Sequence, residues 1–190
     1  LSSWKLFLFY LLSTAALLHL VRVHFRLYNS VSKENISDTM TGLYNRKILT
    51  PMLESRLQRL TAQGVNVVTM ALDCDGLKKI NDTWGHNAGD EAIILLAQAI
   101  SASIRSSDYG VRLGGDEFFL ILIDYPEAEA ENIPARIRQY LAIHDHQQRV
   151  DFSWGAASLA PEQLLSEAMK AADARLYMNK KQKKSPGIRR

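Results

Sequence analysis

Residues 108–123 have the sequence DYGVRLGGDEFFLILI, and this stretch decides the fold of the chain. A strand-like segment precedes two glycines, Gly114 and Gly115, and a strongly apolar one follows two acids, Asp116 and Glu117. This pattern predicts a β-hairpin whose turn carries two carboxylates. Glycine adopts a positive φ without steric cost and lets a ligand approach the backbone, so such a turn can present its acids to a phosphate-bound metal ion. A structural hairpin has the same turn, so the rest of the chain must decide between the two interpretations.

The composition is that of a folded protein from a reducing compartment. Hydrophobic residues make up 47% and charged residues 23% of the 190 residues, which indicates a globular domain rather than a disordered chain. This length accommodates one domain with a sizeable core and an appendage. Cys74 is the only cysteine, which excludes a disulfide framework and a cysteine-based zinc site. Basic residues crowd into residues 180–190 without interleaved aromatic residues, so we expect no nucleic-acid surface.

Residues 4–23, WKLFLFYLLSTAALLHLVRV, are largely apolar and predict the end of a transmembrane helix. Arg22, His24 and Arg26 follow closely, so the positive-inside rule places the downstream part in the cytoplasm, at the inner membrane. A buried signalling helix or coiled coil is the alternative. A signal peptide is disfavoured because no small-residue cleavage site follows the apolar run.

These features divide the chain into four parts. Residues 28–37 are polar and predict a linker or the tail of a connecting helix. The predicted parts are a membrane and juxtamembrane segment at 1–27, the linker at 28–37, a folded domain at 38–184 and a basic tail at 185–190.

The order of the predicted elements indicates an α+β fold. The first predicted element of the domain is an entry helix, for which the sequence offers two starts. Either Asn45 is its N-cap, or Thr50 is its N-cap and Pro51 its first residue; in both cases the helix ends at Gly64. The pattern then predicts a strand over 65–73 buried on both faces, a helix from Asp90, the hairpin, a helix from Pro134 to His144, a strand over 149–157 and a helix over 161–180.

This order is that of a ferredoxin-like or palm fold, the split βαβ arrangement with additions. We expect a central, mostly antiparallel sheet flanked by helices that cover one of its faces, preceded by the N-terminal apolar helix. In such a sheet the first strand and the hairpin are neighbours.

Asp73, at the end of the first predicted strand, and Asp116 form a candidate metal site. Magnesium takes oxygen ligands and is commonly held by one or two carboxylates together with substrate phosphates. Acids at the ends of buried strands cost desolvation energy unless they are paired or bind a metal. Asp75 would share the face of Asp73 if the strand continued, and a turn at the strand end is the alternative.

Several long motifs in this order resemble the GGDEF domain of the diguanylate cyclase family. The motifs are DTMTGLYNR at 38–46, DCDGLKKINDTWGH at 73–86, NAGD at 87–90, RLGGDEF at 112–118, SWG at 153–155 and ADA at 172–174. The resemblance covers residues 38–184. It implies that two GTP molecules, one per subunit of an antiparallel homodimer, condense to cyclic di-GMP and two pyrophosphates.

The resemblance also implies a metal-dependent reaction at the hairpin. Asp73, Asp116 and the backbone carbonyl of Cys74 would hold magnesium, with manganese as an alternative, on the triphosphate, and the metal would neutralise charge as pyrophosphate leaves. Asp116 is the family's candidate base for the attacking 3′-hydroxyl, and Glu117 beside it is a metal or base partner. The two glycines of the turn would bind the substrate.

Further substrate contacts follow from the same resemblance. Asn81 and Asp90 match the family's guanine-reading positions. An amide and a carboxylate can pair with the guanine edge, since the carboxylate can accept from N1 and N2, and adenine lacks those donors. A helix N-cap is the alternative role for Asp90. Lys78 and Lys180 match phosphate-contacting lysines. His86 matches a substrate-side position, with an ordinary loop histidine as the alternative.

The end of the domain departs from the family pattern. A phosphate-binding arginine normally follows Lys180 by four residues within Gly-Arg-Asn, and here the corresponding residues are Lys183, Lys184 and Ser185. Lys184 keeps the positive charge and is the predicted phosphate contact. It lacks the bidentate fork of arginine, so weaker or less oriented triphosphate binding is expected.

Arg105 and Asp108 lie where this family keeps its product-inhibition site. Arg105 would stack on a guanine of cyclic di-GMP and contact phosphate, while Asp108 accepts from the base. An exposed salt bridge or a helix end would show the same two residues. Pro134 disturbs the helix that often supplies a further arginine, which leaves Arg136 and Arg138 as candidates.

We therefore predict a product-inhibited diguanylate cyclase that is tethered to the membrane and active as a dimer. Two alternatives stay open. One is an inactive module that senses GTP or cyclic di-GMP, and the other is a nucleotidyl cyclase that makes a different dinucleotide. The suitable residues at the metal, guanine and glycine positions favour the enzyme.

Overall fold

The computed structural model describes residues 3–184, without the side chains of residues 6, 25–35, 127 and 184. It contains two compact units, Leu1–Ser37 and the part of the chain that begins at Asp38. The predicted basic tail at 185–190 lies outside the described residues.

The first unit is a single helix, α1 (Ser3–Ile36). Its segment Ser3–His24 is long and apolar enough to cross a membrane, with a mean hydropathy of 1.9, and at 1.5 Å per residue it measures about 33 Å. The described side chains of this segment are exposed within the unit. The backbone stays helical through residues 28–36. This stretch is therefore the tail of a helix and not an irregular linker.

The second unit is built on a five-stranded sheet with the strand order β1-β3-β4-β2-β5. The strands are β1 (Tyr44–Asn45), β2 (Val67–Asp75), β3 (Tyr109–Gly114), β4 (Glu117–Ile123) and β5 (Asp151–Ser158). The short β1 pairs in parallel with β3, and the other three pairings are antiparallel. The predicted α+β class with a mostly antiparallel sheet is confirmed.

Six α-helices accompany this sheet in the described part of the second unit. They are α2 (Pro51–Ala62), α3 (Leu77–Trp84), α4 (His86–Ser103), α5 (Glu127–Ala130), α6 (Ile133–His144) and α7 (Leu165–Lys184). Both proposed caps are used, because a 3-10 helix (Arg46–Ile48) precedes α2. Asn45 caps the 3-10 helix, and Thr50 caps α2 by accepting from the backbone amide of Leu53 at 3.2 Å.

Helices cover both faces of the sheet, which corrects the expectation that they cover one. The reason is the strand β4, whose six residues 118–123 are all buried and alternate between two apolar layers. Phe118, Leu120 and Leu122 pack in the layer that contains α4 and α6. The residues between them pack in the layer that contains α2 and α7. A strand that is apolar on both faces requires cover on both.

Element boundaries near the carboxyl end of β2 differ from the prediction. The strand continues to Asp75, so Asp73 and Asp75 lie on one face. Gly76, in the left-handed region at φ 72°, then leads directly into α3. This helix was missed because it is short and Ile80 is its only buried residue.

The next helix begins earlier than predicted. Helix α4 starts at His86 after Gly85, and Asp90 therefore lies beyond its first turn. Asp90 is not the N-cap, which removes the purely structural explanation offered for it. The last helix, α7, is shifted toward the C-terminus and reaches Lys184, which brings more lysines to one end of the sheet.

Candidate active site

A polar cavity of about 380 Å³ opens at the carboxyl end of β2. Its lining comes from β2, Gly76, the start of α3, the hairpin turn, β5 and the end of α7. The lining residues are Asp73, Cys74, Asp75, Gly76, Leu77, Lys78, Asp116, Asp151, Ser153, Lys180 and Lys183. Four carboxylates and three lysines in one space suit a ligand that carries both phosphates and a divalent cation.

A second cavity of similar size, about 400 Å³, lies between β5 and α7 near Trp154. Glu131 is the only carboxylate among its lining residues. We assign the chemistry to the first cavity because the acids and the lysines converge there.

The structure brings Asp73 and Asp116 together in the lining of the first cavity. The backbone amide of Cys74 donates to the carbonyl of Asp116 at 3.1 Å, which joins the end of β2 to the hairpin turn. Asp73 is directly opposite Glu117 in the β2–β4 register. Glu117 itself is exposed at the start of β4.

The electrostatics of Asp73 favour a bound cation. Burial raises the pKa of its carboxyl, and the negative charges of Asp116 and Asp75 add to this, whereas the hydrogen bond from Lys180 opposes it. The Nζ atom of Lys180 lies 2.6 Å from Oδ1 of Asp73, and both side chains are partly buried. The lysine ammonium therefore neutralises the carboxylate at the position where a metal ion would be held.

The donor set fits a hard divalent cation. Asp73, Asp116 and the backbone carbonyl of Cys74 offer oxygen atoms only, and Cys74 itself is a buried thiol whose pKa burial raises to about 12. Within residues 3–184 no three His, Cys, Asp or Glu side chains are grouped closely enough to hold a metal on their own. A site with two carboxylates that is completed by substrate phosphates is the arrangement typical of magnesium.

The hairpin turn depends on both glycines. Gly114 has φ 146° and Gly115 has φ 53°, and a Cβ atom at either position would meet only open space. The requirement for glycine is therefore conformational rather than steric.

Arg112 holds this turn in place, a role that sequence reasoning missed. Its Nη2 donates to the carbonyl of Gly115 at 2.9 Å, and its Nη1 lies 3.2 Å from Oδ1 of Asp38. Asp38 also accepts from the amide and the hydroxyl of Thr41. Burial opposes ionisation of Asp38, but the hydrogen bonds from Thr41 and Arg112 outweigh it and lower the pKa of this carboxyl. Arg112 and Asp38 both belong to the family motifs quoted above, and this membership is the sequence feature that could have indicated their role.

The predicted guanine-reading residues lie on neighbouring helices. Asn81 belongs to α3, and its Oδ1 atom is buried without a hydrogen-bond partner among the described residues. Gly89 on α4 makes room for this amide, because a Cβ atom there would lie 1.8 Å from Oδ1. Asp90 follows directly and is exposed. A buried polar atom without a partner costs free energy, which makes Asn81 a candidate for ligand binding.

The remaining substrate residues are less tightly placed. Lys78 is exposed and lines the cavity. His86 is exposed as the first residue of α4 and is not part of the cavity lining. The side chain of Lys184 lies outside the described residues, so its predicted phosphate contact stays a prediction.

Asp108 is buried and organises the loop that presents Arg105. Its two carboxylate oxygens accept from the backbone amides of Arg105 at 2.7 Å and Ile123 at 3.0 Å. The guanidinium of Arg105 is exposed and lies 4.1 Å from the ring centroid of Tyr125. This arrangement gives Asp108 a structural task in addition to its predicted contact with a base.

Arg105 and Arg136 both lie near Tyr125, whereas Arg138 lies near a different aromatic ring. Burial and the charge of Asp108 raise the pKa of Tyr125, whereas the nearby charges of Arg105 and Arg136 oppose the shift. Arg138 instead stacks over the ring of Phe152 at 4.9 Å. The structure thus selects Arg136 from the two candidate arginines as the neighbour of Arg105.

Similarity to known proteins agrees with this geometry. The family described as "Diguanylate cyclase, GGDEF domain" matches residues 35–186. The "Probable diguanylate cyclase DgcJ" of Escherichia coli is 55% identical over 184 residues, which are 97% of this chain and 37% of that protein. The chain therefore spans little more than a third of the length of this curated relative.

Two solved structures resemble the chain. Diguanylate cyclase SiaD of Pseudomonas aeruginosa, solved with its activator SiaC, superposes with a TM-score of 0.71 at 28% identity over 94% of this chain and 74% of that one. The GGDEF domain of DgcB from Caulobacter crescentus, solved with c-di-GMP, gives 0.70 at 26% identity over 78% and 89%. The family resemblance noted in the sequence is confirmed, and this chain belongs to the diguanylate cyclase GGDEF-domain family.

Proposed function

We propose that the chain is a magnesium-dependent diguanylate cyclase that condenses two GTP into cyclic di-GMP and releases two pyrophosphates. The observation that carries this proposal is the convergence of Asp73 and Asp116 in one cavity with Lys78 and Lys180. Oxygen ligands beside ammonium groups are what a metal-bound triphosphate requires.

Asp73, Asp116 and the backbone carbonyl of Cys74 would hold the metal, which would supply charge neutralisation at the leaving pyrophosphate. When the triphosphate binds, Lys180 exchanges its contact with Asp73 for one with a phosphate oxygen, because both residues line the same cavity. Asp116 takes the proton of the attacking 3′-hydroxyl, with Glu117 beside it as the second available carboxylate. Arg112 keeps the backbone of the turn in position for both acids.

Guanine is selected by Asn81 and Asp90. The buried Oδ1 atom of Asn81 gains a donor when a base binds, which satisfies an atom that is unpaired within the described residues. Asp90 accepts from N1 and N2 of guanine, and adenine cannot donate at these positions.

The reaction needs two copies of the chain. Each hairpin turn holds one GTP, so the 3′-hydroxyl and the phosphate that react come from opposite subunits of a homodimer. The apolar helix α1 connects this unit to the inner membrane, and its Ser3–His24 segment is long enough to do so. The catalytic unit then faces the cytoplasm, where GTP is available.

Cyclic di-GMP restrains the enzyme by binding at Arg105, with Arg136 as a second arginine. Arg105 and Arg136 are exposed and lie near Tyr125, and two guanidinium groups beside an aromatic ring suit a ligand that carries guanine rings and phosphates. The solved complex of a family member with c-di-GMP supports ligand binding by this domain type.

A product assay tests the proposal. The full chain is incubated in detergent with magnesium and GTP, or with GTP and ATP, and the products are identified by mass spectrometry. We expect cyclic di-GMP from GTP alone and no mixed dinucleotide. A dimer that shows no turnover would overturn the enzyme assignment, and a mixed product would overturn the guanine assignment.

A sensor that binds nucleotide without turnover is the second candidate. It is favoured by Lys183, Lys184 and Ser185, which replace the family's usual Gly-Arg-Asn. Binding of GTP with no product in the same assay would select it.

A further inference from the structure

Lys183 lies at the centre of an oxygen cluster in the active-site cavity. Its Nζ atom lies 2.7 Å from Oδ2 of Asp75, 2.9 Å from Oδ2 of Asp151 and 2.6 Å from the carbonyl oxygen of Phe152. These contacts join the end of α7 to the ends of β2 and β5. About a third of the Lys183 side chain is exposed, so the cluster is partly shielded from solvent.

Asp75 and Asp151 have no role in metal binding as proposed above. Ser153 donates to Asp75 at 2.9 and 2.8 Å, which orients the carboxylate but leaves its charge intact. Both acids line the same cavity as Asp73 and Asp116. Without a cation beside them, they would repel any triphosphate that enters the cavity.

Lys183 reaches these acids because it follows Lys180 by three residues on α7, so the two lysines lie on one face of the helix. Lys180 pairs with Asp73, and Lys183 pairs with both Asp75 and Asp151, offsetting one of their two negative charges. Each of the four acids in the cavity except Asp116 is therefore paired with one of these two lysines. In the family pattern described above, glycine stands where this chain has Lys183.

We propose that Lys183 is a positioning residue for the nucleoside triphosphate, acting as the internal counter-ion of Asp75 and Asp151. Its one positive charge offsets one of the two negative charges and so weakens the repulsion that these carboxylates would exert on the phosphates, without contacting the reacting atoms. The inference rests on the proposed function, because it assumes that GTP occupies this cavity.

The test measures the affinity of the full chain in detergent for guanosine-5′-[(α,β)-methylene]triphosphate with magnesium, by titration calorimetry. The substitution Lys183→Met should weaken binding about fivefold at low ionic strength, and by less at high salt, where the repulsion is screened. Adding Asp151→Asn should restore affinity to within about twofold of the wild type, because it removes one of the uncompensated charges.

Lys181→Met is the matched control, since Lys181 lies over the ring of Tyr177 instead of in the cavity. It should leave the affinity unchanged. Equal losses in both lysine variants, no loss in Lys183→Met, or a loss that Asp151→Asn does not restore would each overturn the counter-ion role. Thermal unfolding of each variant checks that the fold is retained. A wild-type chain that binds no triphosphate would overturn the proposed function, and the inference with it.

Discussion

Lys180 Nζ lies 2.6 Å from Oδ1 of Asp73, so a side chain predicted to bind phosphate is paired with a side chain predicted to bind metal. The pair spans 107 positions of the chain and joins β2 to α7 in the lining of the cavity. A divalent cation would bind Asp73 more strongly than Lys180 does, because it carries more charge than an ammonium group. A triphosphate would likewise bind Lys180 more strongly than Asp73 does, because it carries more charge than a carboxylate. Substrate and metal should therefore bind together more readily than either binds alone.

Asp116→Asn should lower turnover of GTP by roughly a hundredfold or more, because it removes a negatively charged metal ligand and the candidate base. The fold should survive, since the backbone bond from Cys74 to Asp116 does not involve the side chain. Initial rates of cyclic di-GMP formation and the thermal unfolding midpoint measure the two effects. A variant that unfolds at a much lower temperature would show that the carboxylate is structural.

The stability of the protein should depend on pH through Asp73. Burial raises the pKa of this carboxyl above 3.8, its ordinary value, so the protonated form is favoured in the folded state. The stabilising contribution of this group is therefore present at low pH and lost as the pH rises through the folded-state pKa. Magnesium should counter this loss by favouring the charged form.

The measurement compares the free energy of unfolding of the wild type and Asp73→Asn from pH 4 to 7, with and without magnesium. Without metal, the wild type should lose stability relative to the variant as the pH rises. With magnesium the loss should shrink in the wild type only. An equal response of both proteins to magnesium would place the metal elsewhere.

Gly89→Ala should impair substrate recognition by displacing Asn81. Alanine normally stabilises a helix relative to glycine by about 1 kcal/mol, but here its Cβ would lie 1.8 Å from Oδ1 of Asn81. The KM for GTP should rise, with a smaller change in kcat. The double variant Asn81→Ala/Gly89→Ala removes the clash and should recover stability but not guanine selectivity. Additive losses of stability in the double variant would contradict the clash.

Arg112→Ala should loosen the hairpin turn and cost about 1–3 kcal/mol of stability, because it leaves Asp38 without its ion pair and the Gly115 carbonyl without its donor. Arg112→Lys keeps the positive charge but lacks the planar guanidinium that reaches two partners, so it should recover only part of the stability lost in Arg112→Ala. Denaturant unfolding measures the stability, and the turnover rate should fall in the same order. Full activity in Arg112→Ala would show that the turn holds its shape alone.

Arg105→Ala and Arg136→Ala should each relieve inhibition by cyclic di-GMP, raising the half-inhibitory concentration about tenfold. Arg138→Ala is the matched control on the same helix, because Arg138 stacks on Phe152 and not beside Arg105. Rates measured at increasing product concentration test this. Unchanged inhibition in Arg105→Ala, or equal relief in Arg138→Ala, would contradict the assignment.

Local patterns in the sequence determined most of the fold. The continuous apolar run of β2, the hairpin around Gly114 and Gly115, and the helix starts at Thr50 and Pro51 are encoded by neighbouring residues, so they could be predicted before any packing was known. The family motifs determined the identity in the same way. The helix α3 was missed because it buries only Ile80, and its boundaries come from two glycines with positive φ.

Only the tertiary structure decided how the charged residues are paired. Asp38 and Arg112 are 74 positions apart, and Asp75 and Lys183 are 108 apart, so no local pattern links them. Their partners depend on the strand order and on how far α7 extends past the sheet, which are results of packing the whole core. The sequence by itself determined which acids and lysines the site contains, and the packing of α7 against β2 and β5 decided which lysine neutralises which acid.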